Sequence, residues 1–162
     1  MTPARRIVPV LAMAAAVVVL DVVTKRLIER SFRLGECVTI VDAAVAFRLC
    51  LVHNPGVAFG MLAEFAWRWR LPFFILSALA AGWILWKVFQ EAGHLFLGRI
   101  ALGLIIGGAV GNGVDRIRYG EVVDFLDFWF GRYHFPTFNV ADSGITVGTI
   151  LLLFALWRAK AL

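Results

Sequence analysis

Four apolar runs, at residues 7–23, 71–89, 97–114 and 140–157, constrain this chain more than any other feature. A helix needs about 20 apolar residues to cross the hydrocarbon core of a bilayer, and each run approaches that length. Of the 162 residues, 61% are hydrophobic and 17% charged, against roughly 45–50% and about 25% in a soluble domain. A soluble fold of this size has too much surface to hide so much apolar area. The expected fold class is therefore membrane all-α: a four-transmembrane-helix bundle, one integral membrane domain over residues 1–162, with helices at 7–28, 71–90, 97–114 and 140–158. Four spans take roughly 80 residues. The remainder is too short for a large extramembrane domain or a many-helix transporter.

Local signals refine each run. Arg5 and Arg6 precede the first, which Pro9 and Asp21 interrupt. It stays apolar past the small residues Ala12 and Ala14, which argues for a retained helix over a cleaved signal peptide. Pro72 falls in the first turn of the second run, where a missing N–H is tolerated. The third carries Gly103, Gly107, Gly108, Gly111 and Gly113. Small residues let helices approach closely in lipid, so this helix is expected at the centre. The short connection 90–96 implies an antiparallel hairpin.

The two long connections are 29–70 and 115–138. Within the first, residues 37–51 are rich in Val, Ile, Thr and Phe with partial alternation, and predict one or two short strands. The extramembrane β cradle is accordingly expected at about 36–60, between the first two helices. The second connection holds Phe125, Phe128, Trp129, Phe130, Tyr133, Phe135 and Phe138. With Phe65, Trp67 and Trp69 these suggest an interfacial aromatic belt, or a lid lying on the bilayer.

The net charge of +5 does not point to nucleic acid, because the sixteen Lys and Arg are scattered along the chain. Four spans put both termini on one side. Six basic residues fall on that side and ten beside the long connections. Read literally, the positive-inside rule would place those connections in the cytoplasm.

Asp21, Asp115, Asp124 and Asp142 lie in or beside apolar runs, where an ionisable group marks a functional site by default. Asp21 and Lys25, at i and i+4, suit an ion pair on one helix face. Asn112, Asp115 and Arg116 suit a neutralised polar face at a helix end. For both sets a structural role outweighs a catalytic one. Asp142 has a structural explanation too, as the N3 partner of an Asn139 N-cap. Asp124, in the stretch Val122-Val123-Asp124-Phe125-Leu126, has no basic neighbour in sequence. Two carboxylates brought together at low dielectric share a proton and can act as base and acid on a peptide bond. Alternative uses are a proton or ion relay, or packing charges alone. Ser31, Ser77 and Ser143 have no nearby base. His53, His94 and His134 are isolated, and no zinc-peptidase or phosphate-loop motif occurs. No metal or cofactor is expected. Cys37 and Cys50 could pair only on an oxidising side.

Five stretches then carry a resemblance. They are Asp21-Val22-Val23-Thr24-Lys25, Asn54-Pro55-Gly56-Val57-Ala58-Phe59-Gly60, Gly111-Asn112-Gly113-Val114-Asp115-Arg116, Gly120-Glu121-Val122-Val123-Asp124-Phe125 and Phe138-Asn139-Val140-Ala141-Asp142. In order and layout the chain resembles the lipoprotein signal peptidases, the signal peptidase II family. The resemblance implies an intramembrane aspartic peptidase of the bacterial inner membrane. Both termini would be cytoplasmic, and the site would face the outer leaflet, against the literal charge count. It implies Asp124 and Asp142 as catalytic residues. Asn54, Gly56, Asn112, Arg116, Asn139 and Ala141 would bind substrate or support the dyad, and Asp21, Lys25 and Asp115 would form a structural polar network. The implied partners are a diacylglyceryl-modified prolipoprotein, cut before its lipidated cysteine, and membrane lipid. The expected state is a monomer, without nucleic acid.

Overall fold

A computed structural model describes residues 3–55 and 67–160 of the chain. The elements follow in the order α1 (Pro3–Ser31), β1 (Cys37–Val41), β2 (Val45–Asn54), α2 (Trp67–Ala92), α3 (Phe96–Tyr119), β3 (Val122–Phe130), β4 (Tyr133–Phe138) and α4 (Val140–Lys160). All four helices are long and apolar enough to cross a membrane. Their outward faces carry large apolar side chains, such as Leu76, Leu79, Trp83 and Leu153, in the open. Exposed apolar area of that extent fits lipid as the surrounding solvent.

Helix α3 lies between α1 and α4, and its glycines are the reason it can. Side chains on Gly103 and Gly107 would strike Val10, Met13, Ala14 and Val17 of α1. On the other face, Gly108 abuts the backbone carbonyl of Ala141, and Gly148 of α4 packs on Ala101 and Ile105. Dispersion and close backbone approach hold helices together where no hydrophobic drive separates them from lipid. Gly120, left-handed at φ +73°, ends α3 and turns the chain into β3.

The sheet departs from the sequence expectation. Strands β1 and β2 do fall in the first long connection, but the antiparallel sheet has four strands in the order β1-β2-β3-β4. Its other half comes from the aromatic connection, which forms a hairpin. The rings of that hairpin stack within the sheet: Phe128 lies between Phe47, at 4.7 Å, and Phe138, at 5.8 Å. Phe65 and the side chains of Trp67 and Trp69 lie outside the described residues. Between Leu49 and Val52, β2 carries one more residue than β3 opposite it. Between Phe135 and Phe138, β4 does the same. Cys37 and Cys50 are cross-strand partners on β1 and β2 and form a disulfide. The sheet seats on the end of α1 through Val123, Phe125, Leu51 and Ile28, all buried.

The α3–α4 contact sets the position of Ala141, next to Asp142 in the chain. Gly108→Ala is therefore expected to lower stability by about 1–3 kcal/mol through overpacking. Gly113→Ala, whose added methyl meets nothing within 4 Å, should keep stability or raise it by up to about 1 kcal/mol. Thermal unfolding of the two purified variants, compared with the wild type, checks both.

Candidate active site

At the sheet end of the bundle, three helices bring polar groups to one buried point. Lys25 of α1 is 2% exposed. Its ammonium lies 2.7 Å from an Asp21 oxygen, 2.7 Å from an Asp115 oxygen and 3.1 Å from Asn112 Oδ1. An ammonium has three protons to donate, and each finds an acceptor. Both of these carboxylates then reach backbone in other elements. The second Asp21 oxygen accepts from the Ala141 N–H at 2.9 Å, and Asp115 accepts from the Val123 N–H at 3.3 Å. Ala141 immediately precedes Asp142, and Val123 immediately precedes Asp124. A single charge cluster thus fixes the backbone on which both remaining carboxylates are mounted.

Asn139 joins those two carboxylates. It caps α4: its Oδ1 accepts from the Asp142 N–H at 2.9 Å, and Asp142 Oδ2 accepts from the Asn139 N–H at 3.3 Å. This is a reciprocal capping box. The amide nitrogen of the same side chain donates to Asp124 Oδ1 at 2.7 Å. Asp124 Oδ2 accepts from Asn54 Nδ2 at 3.0 Å, and Asp142 Oδ1 accepts from Asn112 Nδ2 at 2.7 Å. Asn112 cannot flip its amide without loss, because its Oδ1 already accepts from both Lys25 and Asn139. Every oxygen of the pair is therefore held by an amide or a backbone N–H.

Asp124 and Asp142 line one cavity of about 630 Å³. Its other polar walls are Asn54, Asn112, Arg116, Thr137, Ser143 and Thr146; the apolar ones include Ala109, Val122, Phe135, Pro136, Phe138 and Ile145. Arg116 donates to the Asn112 carbonyl at 3.2 Å, and its guanidinium stands 4.8 Å over the Phe74 ring, which ties α2 to the site. Asp124 is 3% exposed. Burial pushes its carboxyl up to about 6; the Asn54 hydrogen bond opposes that shift, the neighbouring Asp142 charge adds to it, and the Asn139 hydrogen bond opposes it again. A carboxyl poised there exchanges protons near neutrality, which is what acid–base chemistry on a stable bond requires.

Of the residues expected from sequence, Asn54, Asn112, Arg116, Asp124 and Asp142 line the cavity. Asn139 braces it, while Asp21, Lys25, Asp115 and the Ala141 backbone lie behind it. Gly56 lies outside the described residues. Sequence reasoning missed the β4 wall, Phe135 to Phe138, and Asp127, a buried carboxylate on β3. The available signal was the composition of Val122–Phe130, whose Val, Phe and Trp suit a strand and which places an Asp in an aromatic run.

Four apolar helices around a cavity that holds two hydrogen-bonded carboxylates are the architecture of a membrane enzyme. The comparisons give the particular family. The model of "Signal peptidase (SPase) II" matches residues 13–158. A lipoprotein signal peptidase of Syntrophotalea carbinolica is 46% identical over 149 residues, covering 91% of this chain and 90% of its own. One of Cupriavidus taiwanensis is 48% identical over 145 residues, covering 88% and 79%. A bacterial membrane enzyme solved by the in meso method superposes with a TM-score of 0.79 at 32% identity, covering 93% of this chain and 88% of that one. The chain belongs to the signal peptidase II family and is a membrane peptidase.

Removing the Lys25 charge leaves Asp21 and Asp115 buried without their cation. Lys25→Met is expected to lower stability by about 3–5 kcal/mol. Adding Asp115→Asn to it should restore part of that loss. A double-mutant cycle on thermal unfolding measures the coupling, and strict additivity would count against the cluster.

Proposed function

We propose that this protein is an aspartic endopeptidase of the bacterial inner membrane. Its substrate is a diacylglyceryl-modified prolipoprotein, from which it removes the signal peptide by cutting before the lipidated cysteine. The observation that carries the reading is the pair Asp124 and Asp142 in one cavity, both bound to Asn139. The names of the relatives support the substrate class.

In this mechanism the pair holds one proton between two carboxylates. The ionised member takes a proton from water as the water oxygen attacks the scissile carbonyl. The protonated member hydrogen-bonds the carbonyl oxygen. When the tetrahedral species collapses, the C–N bond breaks and a proton passes to the leaving amine. Asn112 and Asn139 keep the carboxylates in orientation. Asn54 and Gly56 bind substrate backbone near the cut, Arg116 supplies positive charge beside the developing oxyanion, and Ala141 presents its N–H to Asp21 and so fixes the start of α4. Asp21, Lys25 and Asp115 are the structural support.

Both termini lie in the cytoplasm, and the sheet and cavity face the outer leaflet. The Cys37–Cys50 disulfide supports this orientation, because disulfides persist in the oxidising periplasm. It weighs against the literal charge count, two of whose cations are engaged: Lys25 with two aspartates and Arg48 with Asp127. The apolar signal helix of the substrate enters from lipid, and its acylated residue stays at the interface. The enzyme acts as a monomer on substrate held in membrane lipid.

Purified wild type is expected to process a lipidated prolipoprotein. Asp124→Asn and Asp142→Asn should each reduce turnover by about 10²–10⁴-fold, the range typical of a lost general acid or base. Normal turnover by either variant, with an unchanged unfolding profile, would remove that residue from the catalytic pair.

A further inference from the structure

Asp127 takes no part in the chemistry above, yet it is among the most completely buried polar side chains described, at 1% exposure. The irregularities of the sheet lie on β1, β2 and β4, so β3 alternates regularly. Asp124 therefore faces the cavity and Asp127 the opposite side of the sheet. Four donors from three strands converge on the Asp127 carboxylate. Arg48 Nε of β2, at 2.6 Å, and Trp129 Nε1 of β3, at 2.9 Å, share one oxygen. On the other oxygen, Thr137 Oγ1 of β4 donates at 3.2 Å and His134 Nε2 of β4 lies at 2.5 Å. The Arg48 guanidinium stacks 5.0 Å over Trp129, which stacks 4.4 Å on His134. Burial alone would push this carboxyl up; the hydrogen bonds from His134, Arg48 and Trp129 outweigh it and hold it below the usual carboxylate range.

What these bonds hold matters for the cavity. β4 has its extra residue between Phe135 and Phe138; His134 lies just before that irregularity and Thr137 within it. Four successive residues, Phe135, Pro136, Thr137 and Phe138, line the cavity of Asp124 and Asp142, while the Thr137 hydroxyl reaches Asp127 on the other side of the sheet. Cohesion of the sheet does not require a buried charge, since the backbone ladders, the apolar seat on α1 and the disulfide already supply it. A buried ion pair is weak evidence for a role in stability, which leaves the geometry of β4 as what this one sets.

We propose that Asp127 is a positioning residue for substrate binding: through His134 and Thr137 it fixes the irregular β4 segment as a wall of the cavity. The inference rests on that cavity being the substrate site. Its test uses the full chain in detergent with a synthetic lipidated prolipoprotein peptide, with kcat, KM and thermal unfolding measured separately. Asp127→Asn removes the charge, and Thr137→Val removes a single hydrogen bond at nearly constant volume. Both are expected to raise KM by about three- to tenfold while kcat stays within about twofold, the signature of lost binding without lost chemistry. Should Asp127→Asn fail to fold, Thr137→Val decides alone. An unchanged KM in folded protein, even with a lower unfolding temperature, overturns the proposal and leaves Asp127 a stability residue. A fall in kcat at constant KM also overturns it. Peptide binding measured in an Asp142→Asn background separates the two claims. There, addition of Asp127→Asn should weaken affinity by the same factor, whereas cleavage persisting in Asp142→Asn alone counts against the dyad and not against Asp127.

Discussion

The ammonium of Lys25 is the interaction on which the site depends. It is buried among two aspartates and an asparagine contributed by α1 and α3. Without it, Asp21 and Asp115 would be like charges facing each other in an apolar bundle. With it, each becomes a fixed acceptor for one backbone N–H, that of Ala141 or Val123. Those two peptide groups carry Asp142 and Asp124. The support is thus electrostatic at its centre and geometric at its edge. It also orients Asn112, whose amide then has its nitrogen toward Asp142.

The rest of the fold delivers elements to that cluster. Glycines let α3 approach α1 and α4 closely enough for short side chains to meet. The sheet brings Asp124 in from β3 and Asn54 from the end of β2. Asn139 then does two jobs that are usually separate, capping α4 and bridging the carboxylates. Ordinary capping chemistry alone accounts for Asp142 at N3. The cavity and the second carboxylate are what turn a cap into a candidate catalytic group.

Much of this was legible in the sequence, and the reasons are physical. Long apolar runs have few uses besides crossing lipid, so four helices could be read directly. Carboxylates beside such runs are expensive, so Asp21, Asp115, Asp124 and Asp142 stood out. The pairing of β2 with β3 was not legible, because it joins residues about 80 positions apart and no local pattern encodes it. The strand character of the aromatic connection was hidden for a related reason. Phe and Trp suit both a bilayer interface and a strand, and only the partner Phe47 of β2 decides between them. Asp127 stayed hidden because its donors Arg48, His134 and Thr137 are scattered in sequence and meet only across the sheet.

The central claim is that Asp124 and Asp142 work as one unit holding one proton. The pH dependence of kcat for cleavage of a lipidated prolipoprotein tests it most directly, since kcat reports the groups that titrate in the substrate complex. Full protonation at low pH removes the base, and full ionisation at high pH removes the acid. Asp124 is already pushed up to about 6, and a substrate that excludes further water would raise it again. The account predicts a bell-shaped kcat profile with its alkaline limb above pH 6. A kcat that is flat through the weakly acidic and neutral range would contradict it.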